Sequence, residues 1–417
     1  MLTPRGMALC TVAVVAWGLG RLLGVDELYV VSAASVAMIV LAVASTRLSS
    51  TRIAVRRGTG VVHARQQEKV SIELQLRNDG RLPGSLLLVE DRHPSGITTV
   101  DEDRGAARFV VRSLRPRQVV KLRWQALGRR RGRYAIGPVR IRLRDPFGLA
   151  ERSRRYRSTD DIVVFPAIES LEARGAKGAR QGAETSALRR AFHRGDEFYT
   201  MRGYVVGDDL RHVHWPSTAH RGTLMVRQHE LPWNARAVIY VDTRSSVQRG
   251  SGPRGTFERS VSAAASVLLH LRDHNYDLQL VTCEDTDHDG SGGIEAALVR
   301  LAEVTPSMGQ ASATAMARLG RSGNGLLVAI VRPPADDGDL SEHPEVRGLL
   351  RAGRNYRACI ALVVERHDEQ RCATLARLLQ VAGWRAAVVA PDDPLVDAWQ
   401  RGMIGVGVPV PSGTADD

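Results

Sequence analysis

Two apolar runs, roughly Met7–Leu23 and Leu28–Ser45, open the chain. Each approaches the roughly 20 residues that a helix needs to cross the hydrocarbon core of a bilayer. The link between them, Gly24-Val25-Asp26-Glu27, is short and acidic. Such a pair is expected to form a transmembrane hairpin. Arg5 precedes the first run, and Arg47, Arg52, Arg56 and Arg57 follow the second. The positive-inside rule then keeps both ends cytoplasmic and turns the acidic link outward. Arg21, near the end of the first run, can snorkel to the interface. The rival reading, a cleaved signal peptide, needs a small-residue cleavage site that Trp17–Leu23 does not provide. Everything after residue 50 is then expected to be cytoplasmic, tethered by its N-terminus.

The 417 residues allow two or three domains with real cores. The formal charge is +13, from 58 basic and 45 acidic residues. Three of the basic residues are Lys (Lys69, Lys121, Lys177) and the other 55 are Arg. That skew, with few aromatics to stack bases, fits a GC-rich genome better than nucleic-acid binding. Cys10, Cys283, Cys359 and Cys372 are widely separated, with no C-x-x-C, so neither a disulfide framework nor a zinc site is expected.

From Thr51 to about Pro166 the pattern is strand-like. Val70-Ser71-Ile72-Glu73-Leu74-Gln75-Leu76 alternates strictly and ends at the turn Asn78-Asp79-Gly80. Short strands are expected at Ser85–Glu90, Ala107–Val111, Val119–Trp124, Val139–Leu143 and Ile162–Phe165, which together suggest an antiparallel sandwich. The basic run Arg129–Arg133 reads as a solvated hairpin turn or as a contact for anionic lipid heads. Residues 167–190 lack apolar periodicity and read as a linker.

From residue 235 strands alternate with helices. Strands are expected at Val238–Val241, Leu278–Cys283, Leu326–Val331, Cys359–Val364 and Ala386–Val389. Helices are expected near Phe257–His274, Ile294–Val304 and Glu369–Ala382. This order implies a mainly parallel, doubly wound sheet. The end of the chain reads as a polar, frayed tail.

The densest chemistry lies at residues 192–230, which crowd together acids, histidines, arginines, glycines and Trp215. His212 and His214 are two apart and would share one side of a strand. No spacing of histidines and carboxylates there matches a zinc or metalloprotease pattern. Asp208 and Asp209 can form a turn and pair with Arg211 or Arg202, while Trp215 is expected to pack on the domain. There is no G-x-S-x-G, and no cysteine at an electropositive helix start, so no nucleophile is assigned. Gly250, Gly252 and Gly255 match G-x-G-x-x-G. However, they sit eight residues beyond Asp242, where a dinucleotide fingerprint would follow the strand directly, so a loop is the better reading.

Asp242 ends the first strand of the α/β region, where such sheets bind ligands. Von Willebrand factor A-like domains carry D-x-S-x-S at this place, and its carboxylate and hydroxyls can hold a divalent cation such as Mg²⁺. Here Asp242 and Ser246 match, but Arg244 replaces the middle Ser. A cation beside a guanidinium is disfavoured. Two readings follow: a degenerate metal site on Asp242 and Ser246, or a site closed by an Arg244–Asp242 pair.

Taken together, the residues resemble the bacterial domain-of-unknown-function 58 (DUF58) family. The resemblance rests on Gly195-Asp196-Glu197-Phe198, Arg202, Tyr204, Gly207-Asp208-Asp209, Arg211, Trp215, Ala219 and Glu230. Upstream, it rests on Arg131-Gly132-Arg133-Tyr134, Asp145-Pro146-Phe147-Gly148-Leu149 and Pro166. Val206 stands where Pro is usual, and Pro216 where a basic residue usually follows the Trp. The resemblance spans roughly residues 1–300. It implies a membrane-anchored protein with a von Willebrand factor A-like domain and no established enzymatic activity. It also implies partners in a MoxR-type AAA+ ATPase and a transglutaminase-like membrane protein.

The expected architecture is a transmembrane helical hairpin (1–50), an antiparallel β-sandwich-like domain (51–166) and a linker with the signature block (167–234). A doubly wound α/β, von Willebrand factor A-like domain (235–408) and a disordered tail (409–417) follow. The expected function is a non-enzymatic interaction or scaffold protein, acting with the ATPase in envelope assembly or protein maturation. The alternative is a metal-dependent ligand-binding module. The expected partner surface is Arg202, Tyr204, Gly207, Asp208, Asp209, Arg211, His214, Trp215 and Glu230. No cofactor is expected, apart from Mg²⁺ if the alternative holds.

Overall fold

The computed structural model describes residues 1–49, 53–58, 61–80, 86–100, 105–112, 114–172, 199–205, 213–229, 236–248, 250, 252, 255–283, 293–307, 312–323, 325–336, 338–365, 368–390 and 392–404. They fall into two compact units, Met1–Phe165 and Pro166–Asp417.

The first unit begins with two apolar helices, α1 (Pro4–Leu23) and α2 (Asp26–Ser49). Thr3 caps α1 by accepting the Gly6 N–H, Pro4 follows at the first helical position, and Gly24 ends the helix at φ +68°. Ala13, Ala16 and Gly20 are the buried residues along the middle of α1, and small side chains of this kind let two helix backbones approach closely. Ser32 Oγ of α2 donates to Ala13 O at 2.9 Å, joining the pair. Val14, Val15, Trp17 and Leu22 of α1, with Val30, Val36, Val40 and Leu41 of α2, are exposed. Both helices are long and apolar enough to cross a membrane.

The β-rich remainder of this unit comprises β1 (Ile53–Arg57), β2 (Val62–Arg65), β3 (Lys69–Asn78), β4 (Leu86–Arg92), β5 (Ile97–Thr99) and β6 (Ala106–Val111). It continues with β7 (Val119–Gly128), β8 (Gly132–Ile136), β9 (Val139–Arg144), β10 (Glu151–Tyr156) and β11 (Asp160–Phe165). They form sheets in the orders β1-β3-β7-β5, β10-β9-β4-β6 and β2-β11-β8. The alternation in β3 puts Ile72, Leu74 and Leu76 inside. Leu74 and Leu76 meet Leu87, Val89, Ile141 and Leu143 of the second sheet, and Ile72 and Trp124 meet Ile136, Ile162 and Val164 of the third. Buried Asp91 is neutralised within this core. Arg57 donates to it through Nη1 at 3.1 Å and Nη2 at 2.5 Å, and Trp124 Nε1 at 3.1 Å.

The arrangement departs from the expectation in two respects. The sandwich is not wholly antiparallel, because β2 pairs with β11 in parallel. Part of the supposed basic turn is strand: Gly132–Ile136 is β8, paired with β11. Sequence patterning misses such short, Arg-rich strands because only one or two of their side chains enter the core.

The second unit holds a parallel sheet in the order β15-β14-β16-β17-β18. Its strands are β14 (Arg236–Val241), β15 (Asp277–Thr282), β16 (Leu326–Val331), β17 (Ala358–Val364) and β18 (Arg385–Val389). The near-continuous apolar runs of β14, β16 and β17 are what a parallel sheet buried on both faces requires. The segment expected to be a linker begins as a docked strap. Ala167 O accepts from Ser262 Oγ, Glu169 N donates to Ser266 Oγ, and Leu171 is buried. The tail at 409–417 lies outside the described residues.

Candidate functional site

The signature block is built from a two-stranded ribbon, β12 (Tyr199–Gly203) with β13 (Met225–His229), antiparallel. The short helix α3 (Trp215–Arg221) lies between them in sequence. His214 does not lie in a strand. It caps α3, its Nδ1 accepting the Ser217 N–H at 3.3 Å and lying 2.8 Å from Ser217 Oγ. Pro216, which departs from the family pattern, falls within the first turn of α3, where a missing N–H costs nothing. Gly222 ends the helix at φ +72°. His214 N donates to Met225 O, and Tyr204 N to Leu224 O, fixing the helix and ribbon together.

Val213, Met225 and Val226 are buried beneath this arrangement. Trp215 (66 % exposed), Val205 (62 %) and Leu224 (40 %) are not. Of the expected surface residues, Tyr204 is half-buried and His214 is half-buried in its cap. Arg202 belongs to β12, and of its side chain nothing is described. Gly207, Asp208, Asp209, Arg211 and Glu230 lie outside the described residues, as does His212.

A second constellation forms where β14 ends. Beyond it the unit continues with α4 (Thr256–Asp273), α5 (Gly293–Glu303), α6 (Ser312–Arg321), α7 (Pro344–Gly353), α8 (Glu369–Val381) and α9 (Leu395–Ile404). The Asp242 N–H donates to Ile330 O of β16, which sets the carboxylate at the carboxyl edge of the sheet. Arg244 then folds back onto it. Nε donates to Oδ1 at 2.8 Å, Nη2 to Oδ2 at 2.6 Å, and the Arg244 backbone N–H to Oδ1 at 3.2 Å. Both residues are buried, at 2 % and 8 % exposure. The third edge of the guanidinium, Nη1, pairs with Glu345 in the first turn of α7. His343 caps that helix and lies 3.4 Å from Asp336.

Burial, and then the charge of Asp242, push the Tyr240 hydroxyl well above its ordinary range. Burial, and then the same charge, also push up the Cys283 thiol. Burial alone would lower the Arg244 pKa, but the hydrogen bonds and charge of Asp242 outweigh it and the net shift is upward. Ser246, the other residue of the expected metal pair, is exposed in a 3-10 turn, Ser245–Val247. Among the described residues no group of three or more His, Cys, Asp or Glu side chains is placed to hold a metal ion. The guanidinium takes both oxygens of Asp242, so this carboxylate is engaged as a structural anion. Sequence reasoning anticipated the Arg244–Asp242 pair but missed Glu345, about a hundred residues away, which no local pattern connects to it.

The upstream motif also has a defined shape. Asp145, Pro146, Phe147 and Gly148 form a turn closed by Gly148 N donating to Asp145 O at 3.0 Å, with Asp, Pro and Gly at the positions a type I turn favours. The buried Asp145 carboxylate accepts from Phe147 N at 2.9 Å and Ala150 N at 2.6 Å. The turn grips the start of α1. Thr3 Oγ1 donates to Gly148 O at 2.6 Å and Thr3 N to Leu149 O at 2.9 Å. A Cβ on Gly6 would collide with the Leu149 carbonyl. Sequence reasoning used these residues only as a mark of family; their work is to seat the helical hairpin.

Residues 200–390 match the family described as "Protein of unknown function DUF58". The "Uncharacterized protein YeaD" of Bacillus subtilis (strain 168) is 23 % identical over 201 residues, covering 48 % of each chain. The chain thus spans about half the length of that curated relative. Among solved structures, the CARDB domain of the PF1109 protein from Pyrococcus furiosus aligns at 15 % identity and TM-score 0.19, over 27 % of this chain and 86 % of that one. The PapD-like domain 7 of human CEP192 aligns at 15 % identity and TM-score 0.20, over 28 % and 87 %. Scores this low carry no argument about fold or function.

Proposed function

We propose that this protein is a membrane-anchored, non-enzymatic interaction protein whose signature arm, the β12–β13 ribbon with α3, is its docking surface. The exposure of Trp215 carries the reading. A large aromatic left in solvent at the start of a well-capped helix is of the residue type most enriched at interface hot spots, and exposed Val205 and Leu224 lie on the same arm. The two apolar helices supply the anchor, with both soluble units on the cytoplasmic face of a bacterial inner membrane. The α/β unit is read as von Willebrand factor A-like, with Arg244 in place of a resident metal ion. The partners drawn from the family resemblance are a MoxR-type AAA+ ATPase and a transglutaminase-like membrane protein, in envelope assembly or protein maturation.

The test uses the full chain in nanodiscs and a purified MoxR-type ATPase from the same organism. Binding is expected, and Trp215→Ala is expected to weaken it about 30-fold, since a hot-spot tryptophan contributes about 2 kcal/mol or more. No binding by the parent chain, or parent-like binding by Trp215→Ala, overturns the proposal.

A further inference from the structure

We infer that the Asp145–Gly148 turn is itself a membrane-contact element, with Phe147 seated at the headgroup–acyl boundary of the bilayer that holds the hairpin. The inference rests on the reading of α1 and α2 as membrane-spanning. It starts from the place where the turn meets the helices. Leu149 and Ala150 pack against Ala42 of α2, with Leu9 and Val43 beside them. From Leu9 to Leu23 α1 runs about 21 Å, and from Ala42 to Asp26 α2 runs about 24 Å, at roughly 1.5 Å per residue. Both are shorter than the roughly 30 Å of hydrocarbon that a spanning helix must match.

The backbone of the turn lies farther toward the start of α1 than these side-chain contacts, with Thr3 N donating to Leu149 O and Gly6 against the same carbonyl, and exposed apolar side chains fill the interval. Met7 of α1 is 55 % exposed and Leu48 of α2 is 63 % exposed. Counting to those residues, the apolar band becomes about 24 Å on α1 and about 33 Å on α2, which brackets the bilayer core. The band matches the membrane only if the level of Leu149 is drawn into it. Phe147 stands at that level, 56 % exposed, on a turn whose backbone Asp145 holds in place. Exposed Arg5 and Arg144 both lie beside Gly148 of the turn. A rigid aromatic flanked by cations suits lipid phosphates above and acyl chains below.

The test places one environment-sensitive fluorophore at a time on the full chain, in Cys10→Ser, reconstituted into vesicles with anionic lipid. The remaining cysteines, Cys283, Cys359 and Cys372, are buried and do not compete for label. Val14→Cys reports on the middle of α1, Ser71→Cys on an exposed position of β3, and Phe147→Cys on the turn. Nitroxide lipids labelled near the headgroup are expected to quench Phe147→Cys roughly twofold or more, as for a group buried about 5–10 Å into the interface. Ser71→Cys should be unaffected, and Val14→Cys quenched by deep nitroxides. If Val14→Cys is quenched while Phe147→Cys behaves like Ser71→Cys, the turn stays in water and the inference fails while the hairpin stands. If Val14→Cys is not quenched either, the membrane reading itself fails and takes the inference with it.

Discussion

Replacing Arg244 by Ala removes two short charge-assisted hydrogen bonds from Asp242 and the third contact, to Glu345, while the Asp242 carboxylate stays buried. The side chains in the pair are 10 % and 3 % exposed, so solvent screens their interaction little. Breaking a buried pair by deleting one partner costs about 3–5 kcal/mol, against about 0.2–1 kcal/mol for an exposed pair. The backbone bond from residue 244 survives and keeps the expected loss in the lower part of that range, about 3 kcal/mol. Urea unfolding of the full chain in detergent, followed by the fluorescence of buried Trp384 and Trp399, reads this loss as a lower midpoint for the α/β unit. Most of the loss comes from the orphaned charge, so adding Asp242→Asn to Arg244→Ala should restore more than half of it. A single-variant loss below about 1 kcal/mol, or a double variant no more stable than the single one, would refute the argument that Arg244 is the resident counter-ion.

Three further outcomes follow from the same geometry. Arg244→Ser opens the Asp242 carboxylate within a D-x-S-x-S order, so Mg²⁺ should raise the thermal midpoint of that variant and leave the parent unmoved; calorimetry showing no heat for either would count against the substitution logic. Hydrogen bonds from Gln75, then Arg123 and Lys121, hold the Glu73 carboxyl down from 4.5 to about 2. A depressed carboxyl stabilises the fold above its unfolded value and loses that contribution as pH falls through the folded one, so β-unit stability should decline between about 4.5 and 2. The decline should be shallower in Glu73→Gln, as a circular-dichroism acid titration would register. Burial pushes the Cys359 and Cys372 thiols up to about 12; mass spectrometry after native alkylation at neutral pH should find both unmodified until denaturant is added.

Much of the architecture was legible because periodicity is a local signal. The strict alternation of Val70–Leu76 identified β3, and the apolar runs Val238–Val241 and Leu326–Val331 identified strands of a sheet covered on both sides. β10 (Glu-Arg-Ser-Arg-Arg-Tyr) and β8 (Gly-Arg-Tyr-Ala-Ile) were missed because their strand character comes from pairing with β9 and β11, while most of their own side chains stay partly in solvent. α6 and α7 were missed because each is only ten residues long, and they are held by packing against each other and the sheet. The signature block declared itself in sequence as a concentration of charge. Its spacing could not show that His214 serves as a helix cap, or that Trp215 is left outside.

The sequence by itself determined the apolar hairpin, the strand-rich middle, the alternating α/β order and the likeness to DUF58, since each is written in residue type and period over a short window. It also made the Asp242–Arg244 pairing foreseeable, because two residues' separation at a strand end brings opposite charges within reach. Only the tertiary structure decided that Glu345 closes that pair from α7, that the Asp145–Gly148 turn clamps the start of α1, and that Ala167–Leu171 lies along α4. Those contacts join residues some hundred positions apart, and no window of sequence encodes which surfaces come together when the sheets and helices bury their apolar faces.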